Sequence, residues 1–187
     1  MPALAFSPDR TRSDQIAALR AELESARALR GPSLPFGIRA LDDRLADNGL
    51  DGAGLHEVGA ASARLNDDAA ATLFVAGIAA RFAAEAGFTV LWALTKFDLY
   101  APGLEQAGLG PAKILYAQGR KDAEVLALAE DGLRDGSLAC IIAEVKAADQ
   151  TATRRLQLAA SDGKTPILSI GGTDRTSAAR LKRLPPQ

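Results

Sequence analysis

The sequence is poor in the residues that build metal, disulfide and nucleophilic sites. Its 187 residues include one cysteine, Cys140, and one histidine, His56, which stand far apart in the chain. A single cysteine excludes an internal disulfide and suits a reducing compartment. One cysteine and one histidine do not complete the ligand set of a zinc site, and a histidine within a strand does not favour a Ser–His–Asp triad. We therefore expect a cytoplasmic protein without a metal or cofactor.

Long hydrophobic runs and a strong excess of one charge are also absent. No stretch reaches the ~20 apolar residues that span a bilayer, and residues 1–6 lack the charged and apolar regions of a signal peptide. The net charge is −1, but residues 34–170 hold 13 basic and 18 acidic side chains. An acidic surface repels nucleic acid. We expect no membrane association, and any DNA contact to be weak or indirect.

Apolar runs and helical patterns alternate along the middle of the chain. Continuous apolar runs such as FTVLWAL and LACIIAEV are typical of strands covered on both faces. We expect strands at 55–58, 88–94, 113–117, 138–145 and 166–170. Helices are expected at 69–86, 122–133 and 151–160, with short ones within 38–46 and 102–110. This alternation predicts βαβ units, so the fold class is α/β, with three layers around a mainly parallel sheet.

The N-terminal end differs from this core, which we place at residues 34–171. Residues 1–33 are expected to form an arm with a helix from Asp9 to Arg30. Its apolar residues recur at helical spacing, at Ile16, Leu19, Leu23 and Leu29. This stripe either packs on its own domain or docks on a neighbouring subunit, in which case the chain is a homo-oligomer.

The other end, residues 172–187, forms a basic tail with four basic residues and one acidic residue. Too few apolar residues are present to fold this segment alone, so we expect it to stay mobile. The candidate partner-binding residues are Arg180, Leu181, Lys182, Arg183 and Leu184. The leucines would act as anchors and the bases as steering charges toward a partner protein or DNA. The alternative is an unstructured, solubilising end.

A glycine follows the first core strand, where a phosphate-binding loop would begin. The pattern G-x-x-x-x-G-K-[ST], started at Gly59, requires glycine, lysine and a hydroxyl residue at positions 64, 65 and 66. The sequence instead reads, from position 64 onward, Arg64, Leu65, Asn66, Asp67 and Asp68. The loop therefore has neither the lysine that contacts phosphate nor the hydroxyl that binds magnesium.

The two aspartates are expected to replace the phosphates. Free N–H groups and the positive end of the dipole bind anions at a helix N-terminus. We expect Asp67 and Asp68 to take those N–H groups, as N-cap residues do, and to repel a triphosphate. The segment is interpreted as a degenerate P-loop that binds no nucleotide. The alternative is an unusual site in which Arg64 holds phosphate.

Few catalytic candidates stand at the strand ends, where ligands bind in open α/β sheets. Glu144 ends an apolar strand, as does the acid that holds the magnesium water shell in a P-loop ATPase. Thr95 and Lys96 stand where a neighbouring carboxylate would be needed. The other acids near these ends are interpreted as caps and turn formers, namely Asp98, Asp122 and Asp149. We assign no catalytic residue.

Several stretches together resemble the ImuA family, the RecA-like accessory proteins of bacterial damage-induced mutagenesis. They are LPFG, HEVGA, FTVLWAL, DLYAPGLEQAGL and ACIIAEV, and they run from about Leu34 to Ile170. The most specific is DLYAPGLEQAGL, which contains Asp98, Tyr100, Pro102, Gly103, Leu104 and Gly108.

The resemblance implies a RecA-like fold and a non-catalytic role in translesion DNA synthesis during the SOS response. The implied partners are an ImuB-like Y-family protein and an error-prone C-family polymerase, with RecA as a further candidate. ATPase activity is not carried over, because Arg64, Leu65 and Asn66 do not match the RecA P-loop. Thr95 and Glu144 also depart from the glutamate and aspartate of RecA. Two alternatives stay open: a divergent RecA-like ATPase that binds DNA in recombination, and a SulA-like inhibitor of cell division.

Overall fold

The computed structural model describes residues 14–21, 31–84 and 88–171, in which strands and helices alternate. The strands are β1 (Ser33–Leu34), β2 (Leu50–Asp51), β3 (Leu55–Gly59), β4 (Val90–Leu94), β5 (Ile114–Gln118), β6 (Cys140–Val145) and β7 (Ile167–Gly171). The helices are α1 (residues 14–21), α2 (Arg39–Asp42), α3 (Leu65–Phe82), α4 (Ala101–Gln106), α5 (Asp122–Asp135) and α6 (Gln150–Gly163). Single 3-10 turns cover Ala46–Asn48 and Pro111–Lys113.

A five-stranded sheet forms the centre, with the strand order β3-β7-β6-β4-β5. Every neighbouring pair in it is parallel. Parallel strands need crossover connections, and the four here contain α3, α4, α5 and α6. Because all five strands run in one direction, their carboxyl ends meet at one edge of the sheet. That edge is where ligands bind in open α/β folds.

Helices cover both faces of this sheet. On one face Trp92, Ile142 and Leu168 pack with residues of α3 and α4. On the other face Ala93 and Ile141 pack with residues of α5 and α6. Complete burial of one large apolar side chain stabilises the fold by about 1.5–3 kcal/mol. The three-layer α/β fold expected from the sequence is confirmed, and it agrees with the RecA-like architecture.

Element boundaries differ from the expected ones chiefly in α3. The expected helix at 69–86 begins four residues earlier, at Leu65, and ends at Phe82. Residues 85–87, which include the expected end, lie outside the described residues. The segment around Leu34, for which no strand was expected, is strand β1 and pairs with β2 antiparallel. This pairing was not predictable from periodicity, because two-residue strands carry no alternation.

The LPFG stretch is held against the core by one buried carboxylate. Asp42 accepts hydrogen bonds from the backbone N–H groups of Phe36 and Gly37, at 2.7 and 2.9 Å. Gly37 has φ of +77°, a backbone conformation that glycine adopts without strain. The Phe36 ring stacks on Phe74 of α3, with ring centroids 6.1 Å apart. These contacts give the motif a structural role, since they fix the approach of the chain to β3.

The N-terminal arm is described only in part. Residues 14–21 are helical, and all of their side chains are exposed, including those of Ile16 and Leu19. Leu23 and Leu29 lie outside the described residues. The apolar stripe therefore stays a prediction, as does the domain boundary at residue 33.

We predict that Gly163→Ala destabilises the fold while Gly77→Ala does not. A Cβ on Gly163 would overlap the Leu133 carbonyl oxygen, because α5 and α6 approach closely there. Such overpacking costs about 1–3 kcal/mol. A Cβ on Gly77, inside α3, would meet its nearest neighbour only at 4.0 Å. Alanine in a helix interior is favoured over glycine by about 0.5–1 kcal/mol. Thermal unfolding measures both, and equal melting temperatures for the two variants would contradict the described packing.

Candidate functional site

The candidate P-loop positions span the end of β3, the loop of residues 60–64 and the first turn of α3. Arg64 is the N-cap residue of α3, with an extended backbone (φ −90°, ψ 142°), and its side chain makes no capping hydrogen bond. None of residues 59–68 has its backbone in the left-handed region. Anion-binding nests combine right- and left-handed residues so that successive N–H groups converge. Residues 59–68 therefore form no such αR–αL nest.

The acidic pair lies inside the first turn of α3 and not before it. The expectation that Asp67 and Asp68 take the free N–H groups is wrong. Their own N–H groups bond to the Arg64 carbonyl oxygen, at 3.0 and 3.1 Å. The Asp67 carboxylate instead accepts a hydrogen bond from the Ser62 hydroxyl. The Ser62 oxygen in turn accepts one from the Arg64 N–H at 3.3 Å. The physical reason is that aspartates are favoured in a first helical turn by the dipole, so the helix extends past them.

These carboxylates still oppose an anion at the helix start. A unit negative charge placed ~4 Å from a carboxylate is repelled by about 4 kcal/mol at an effective dielectric constant near 20. The attraction of a helix N-terminus for an anion is worth about 0.3–2 kcal/mol. Repulsion is therefore the stronger of the two effects. The aspartates are bonded differently from the expectation, but they still disfavour a phosphate.

A cleft of about 650 Å³ opens beside α3 at the carboxyl edge of the sheet. Residues that follow β4, the ends of β6 and β7, and the first half of α3 line it. Helix α4 and the segment before it complete the wall. Much of the lining is apolar, including Leu73, Leu99 and Leu104. The cleft has the volume of a site for a small ligand or a few side chains.

Four carboxylates and two ammonium groups line the cleft. The acids are Asp68, Asp98, Asp122 and Glu144, and the bases are Lys96 and Lys146. Asp122 is engaged, because its carboxylate accepts the N–H groups of Lys146 and Ala147 at 2.9 and 3.1 Å. It fastens the start of α5 to the loop after β6. Acids outnumber bases in the cleft, so it favours a cationic group.

Glu144, near the end of β6, is partly buried. Burial raises the pKa of its carboxyl group, and the nearby negative charge of Asp98 raises it further. The indole N–H of Trp92 acts in the opposite direction and lowers the pKa of the Glu144 carboxyl group. Trp92 is completely buried, and its indole Nε1 makes no hydrogen bond within normal distance and angle limits to any described acceptor. Glu144 is therefore a partly buried acid whose nearby donor is the indole N–H of Trp92.

The structure brings several expected positions together. Thr95 and Lys96 line the cleft with Glu144, as the topology of a parallel sheet requires. Asp149 caps α6 by accepting the Ala152 N–H at 2.7 Å, so its interpretation as a cap is confirmed. Thr95 itself is not a carboxylate, but Asp98, three residues later, also lines the cleft.

The two residues excluded as catalytic have structural surroundings. His56 lies on β3 with its Nε2 2.8 Å from the Asp51 carbonyl oxygen. Cys140 is completely buried, and burial raises the pKa of its thiol far above the ordinary value. It therefore packs as a small buried hydrophobe. Among the described residues, no three His, Cys, Asp or Glu side chains are placed to hold a metal ion.

Sequence reasoning missed the role of α4 as a wall of the cleft. A Cβ on Gly103 would lie 3.2 Å from the Tyr100 ring and 3.5 Å from Leu73, so α4 packs closely on α3 at this residue. Gly108, with φ of +94°, ends the turn after α4, where the Leu109 N–H donates to the Leu104 carbonyl oxygen at 2.9 Å. The signal was present in DLYAPGLEQAGL, whose two glycines mark a close approach and a left-handed turn.

Other candidate positions lie outside this site. The candidate partner-binding residues 180–184 fall outside the described residues. In the portion of the chain that is described, no helix is long and apolar enough to cross a membrane.

Comparison with known proteins shows two curated relatives. No protein-family model matches the chain. Two proteins named Protein ImuA, from the Caulobacter vibrioides strains NA1000 / CB15N and ATCC 19089 / CIP 103742 / CB 15, are each 38% identical to it over 128 residues. The match covers 68% of this chain and 52% of each relative. The chain thus spans about half the length of the curated relatives it matches.

A solved structure supports the fold. The crystal structure of SulA from Pseudomonas aeruginosa superposes with a TM-score of 0.52 at 24% sequence identity. The superposition covers 63% of this chain and 97% of that chain. At this identity the likeness concerns the fold alone.

We predict that Glu144→Gln stabilises the fold at neutral pH and has little effect in acid. The folded-state pKa of Glu144 is raised above its ordinary value of 4.5. Folding therefore favours the protonated carboxyl, and this contribution is lost as pH rises from 4.5 through the raised folded pKa. Glutamine keeps the neutral form at all pH values.

Urea unfolding of both proteins between pH 4 and pH 8 measures the difference. Asp98→Asn is the matched control, because it removes one cause of the raised pKa while Glu144 stays in place. In the Asp98→Asn background, Glu144→Gln should have a smaller effect that levels off at a lower pH, because the folded-state pKa of Glu144 is raised less. A stability gap between wild type and Glu144→Gln that is constant with pH would contradict the described environment.

Proposed function

The chain belongs to the ImuA family, and from that premise we propose that it is a non-catalytic, RecA-like accessory protein of damage-induced mutagenesis. In this role it contributes binding surface to translesion DNA synthesis in the SOS response, in the cytoplasm. It works as a pseudo-ATPase, with a degenerate P-loop at Gly59, Arg64, Leu65, Asn66, Asp67 and Asp68. It needs no cofactor.

The start of α3 is the observation that carries this proposal. A P-loop holds phosphates with converging backbone N–H groups, a lysine and a magnesium-bound hydroxyl. The corresponding segment here has two carboxylates in its first turn, and one of them is bonded to the Ser62 hydroxyl. Phosphate binding would require breaking that bond and overcoming the charge of Asp67 and Asp68. In place of the P-loop lysine and hydroxyl, this segment offers phosphate the single cationic side chain of Arg64.

Exposed apolar side chains at the mouth of the cleft support a binding role. Leu65 is 82% exposed, Tyr100 74% and Phe97 58%. Leu65 and Tyr100 line the cleft itself, and Phe97 packs edge-on against Tyr116, with ring centroids 5.5 Å apart. Clustered exposed aromatic and aliphatic side chains mark interaction sites in soluble proteins. The partners proposed for such a surface are an ImuB-like Y-family protein and its error-prone C-family polymerase.

Further contacts follow from the two ends of the chain. The basic tail would bind the partner through Arg180, Leu181, Lys182, Arg183 and Leu184. The helical arm would support self-association through Ile16, Leu19, Leu23 and Leu29. RecA is a further candidate partner, and any DNA contact is weak or indirect because residues 34–170 are acidic in balance.

We predict that the chain does not bind Mg-ATP with a Kd below about 0.1 mM, which corresponds to roughly −5.5 kcal/mol. Isothermal titration measures this. The five-residue variant Arg64→Gly, Leu65→Lys, Asn66→Thr, Asp67→Ala and Asp68→Ala restores the phosphate-binding groups and should gain affinity. The three-residue variant that keeps both aspartates should gain less, because the repelling charges remain. Tight binding by the wild type would support instead a divergent ATPase.

We predict that Leu181→Ala/Leu184→Ala lowers the recovery of the ImuB-like partner in co-purification. Removing two anchoring side chains from an interface reduces affinity, typically by more than 1 kcal/mol for a hot-spot residue. The matched control is Leu158→Ala, since Leu158 is an exposed leucine on α6, away from the cleft. Undiminished recovery with the tail variant would remove the tail from the proposed interface.

A further inference from the structure

We propose that the basic tail docks in the cleft of its own chain, with residues 180–184 held between α3, α4 and the ends of β6 and β7. The occupant is a segment of this chain, and its charge, attachment and apolar spacing each favour the cleft. This inference does not depend on the ATP-binding state of the loop or on the identity of any partner.

Charge complementarity favours the tail as the occupant. The cleft is lined by two lysines and by the carboxylates of Asp68, Asp98 and Asp122, the last of which already accepts two backbone N–H groups. Glu144 also lines it, although burial favours its protonated form. The tail carries four basic residues and one acidic residue, and three of the bases fall within residues 180–184. An amphipathic basic segment matches both the carboxylates and the apolar side chains of the cleft.

The attachment point of the tail also favours the cleft. Gly171, the last residue of β7, itself lines the cleft. Residue 180 follows nine positions later, so an extended chain reaches up to ~30 Å from that point. A short flexible link of this kind gives an effective concentration in the millimolar range. Even a weak contact would therefore be populated within one molecule, well before a second copy competes at micromolar concentration.

The apolar residues of the tail have a spacing that fits the cleft. Leu181 and Leu184 stand three residues apart, so in a helical turn they share one face. The cleft offers apolar side chains from two walls, Leu73 on α3 and Leu99 next to α4. A volume of about 650 Å³ suits two leucines and the adjoining backbone rather than a folded partner domain.

Docking of this kind would restrict access to the cleft and to the tail at the same time. A protein that binds residues 180–184 has to displace them from the cleft first. The apparent affinity for that protein is then reduced by the fraction of chains in the docked state. Neutralising the cleft would raise the affinity of the tail for an outside partner.

Paramagnetic relaxation enhancement in the full chain tests the proposal. Ala179→Cys carries a nitroxide label, and Cys140 is protected from labelling because it is completely buried. The amide signals of Leu73 on α3 and Gly103 on α4, which both line the cleft, should broaden. The amide of Leu158 on α6 should not.

Two sets of substitutions decide whether docking causes the broadening. Asp68→Asn/Asp98→Asn in the cleft, and Leu181→Ala/Leu184→Ala in the tail, should each weaken it several-fold. The matched control Asp131→Asn/Asp162→Asn changes net charge equally, at exposed sites on α5 and α6, and should leave it unchanged. Raised salt should weaken it, because exposed charges are screened.

Three results would overturn the proposal. One is the absence of broadening at Leu73 and Gly103. Another is broadening that the cleft and tail substitutions leave unchanged, since it would then reflect only the short link to Gly171. The third is broadening that arises when spin-labelled chains without isotope are mixed with isotope-labelled chains without the spin label, because the occupant would then be a second copy.

Discussion

The bond between the Ser62 hydroxyl and the Asp67 carboxylate ties the loop after β3 to the first turn of α3. Asp67 lies in the first turn of α3, because the helix begins at Leu65. In a nucleotide-binding RecA-like domain the same place is reserved for phosphate. In this chain the Asp67 carboxylate lies at that place, bonded to Ser62. The architecture around it consists of five parallel strands between two helical layers.

The carboxyl edge of the sheet retains a cleft although the phosphate-binding groups are replaced. Its walls come from α3 and α4, which meet closely at Gly103 and Leu73. The cleft is acidic and largely apolar, so its chemistry suits a basic amphipathic segment better than a triphosphate. In the proposed function, the lack of nucleotide binding and the peptide-binding surface both follow from the same residues, above all Asp68 and Glu144.

Periodicity predicted the fold class well, because completely buried strands such as Val90–Leu94 leave an unmistakable apolar run. The predicted parallel topology also placed Thr95, Lys96 and Glu144 at the carboxyl edge of the sheet, because parallel strands all end at that edge. Periodicity failed at the start of α3, where the helix dipole accommodates aspartates inside the first turn. It also failed at α4, because the packing of Gly103 on Leu73 joins segments 30 residues apart. A local sequence pattern cannot predict a contact between segments so far apart in the chain.

The central claim is that the loop of residues 59–68 is closed to phosphate by the protein's own carboxylates. A crystal of the chain soaked with magnesium and a non-hydrolysable ATP analogue tests it most directly. The claim predicts no nucleotide density at the loop and an intact bond between Ser62 and Asp67. Ordered phosphate density over residues 59–68, with the Asp67 side chain turned away, would contradict it.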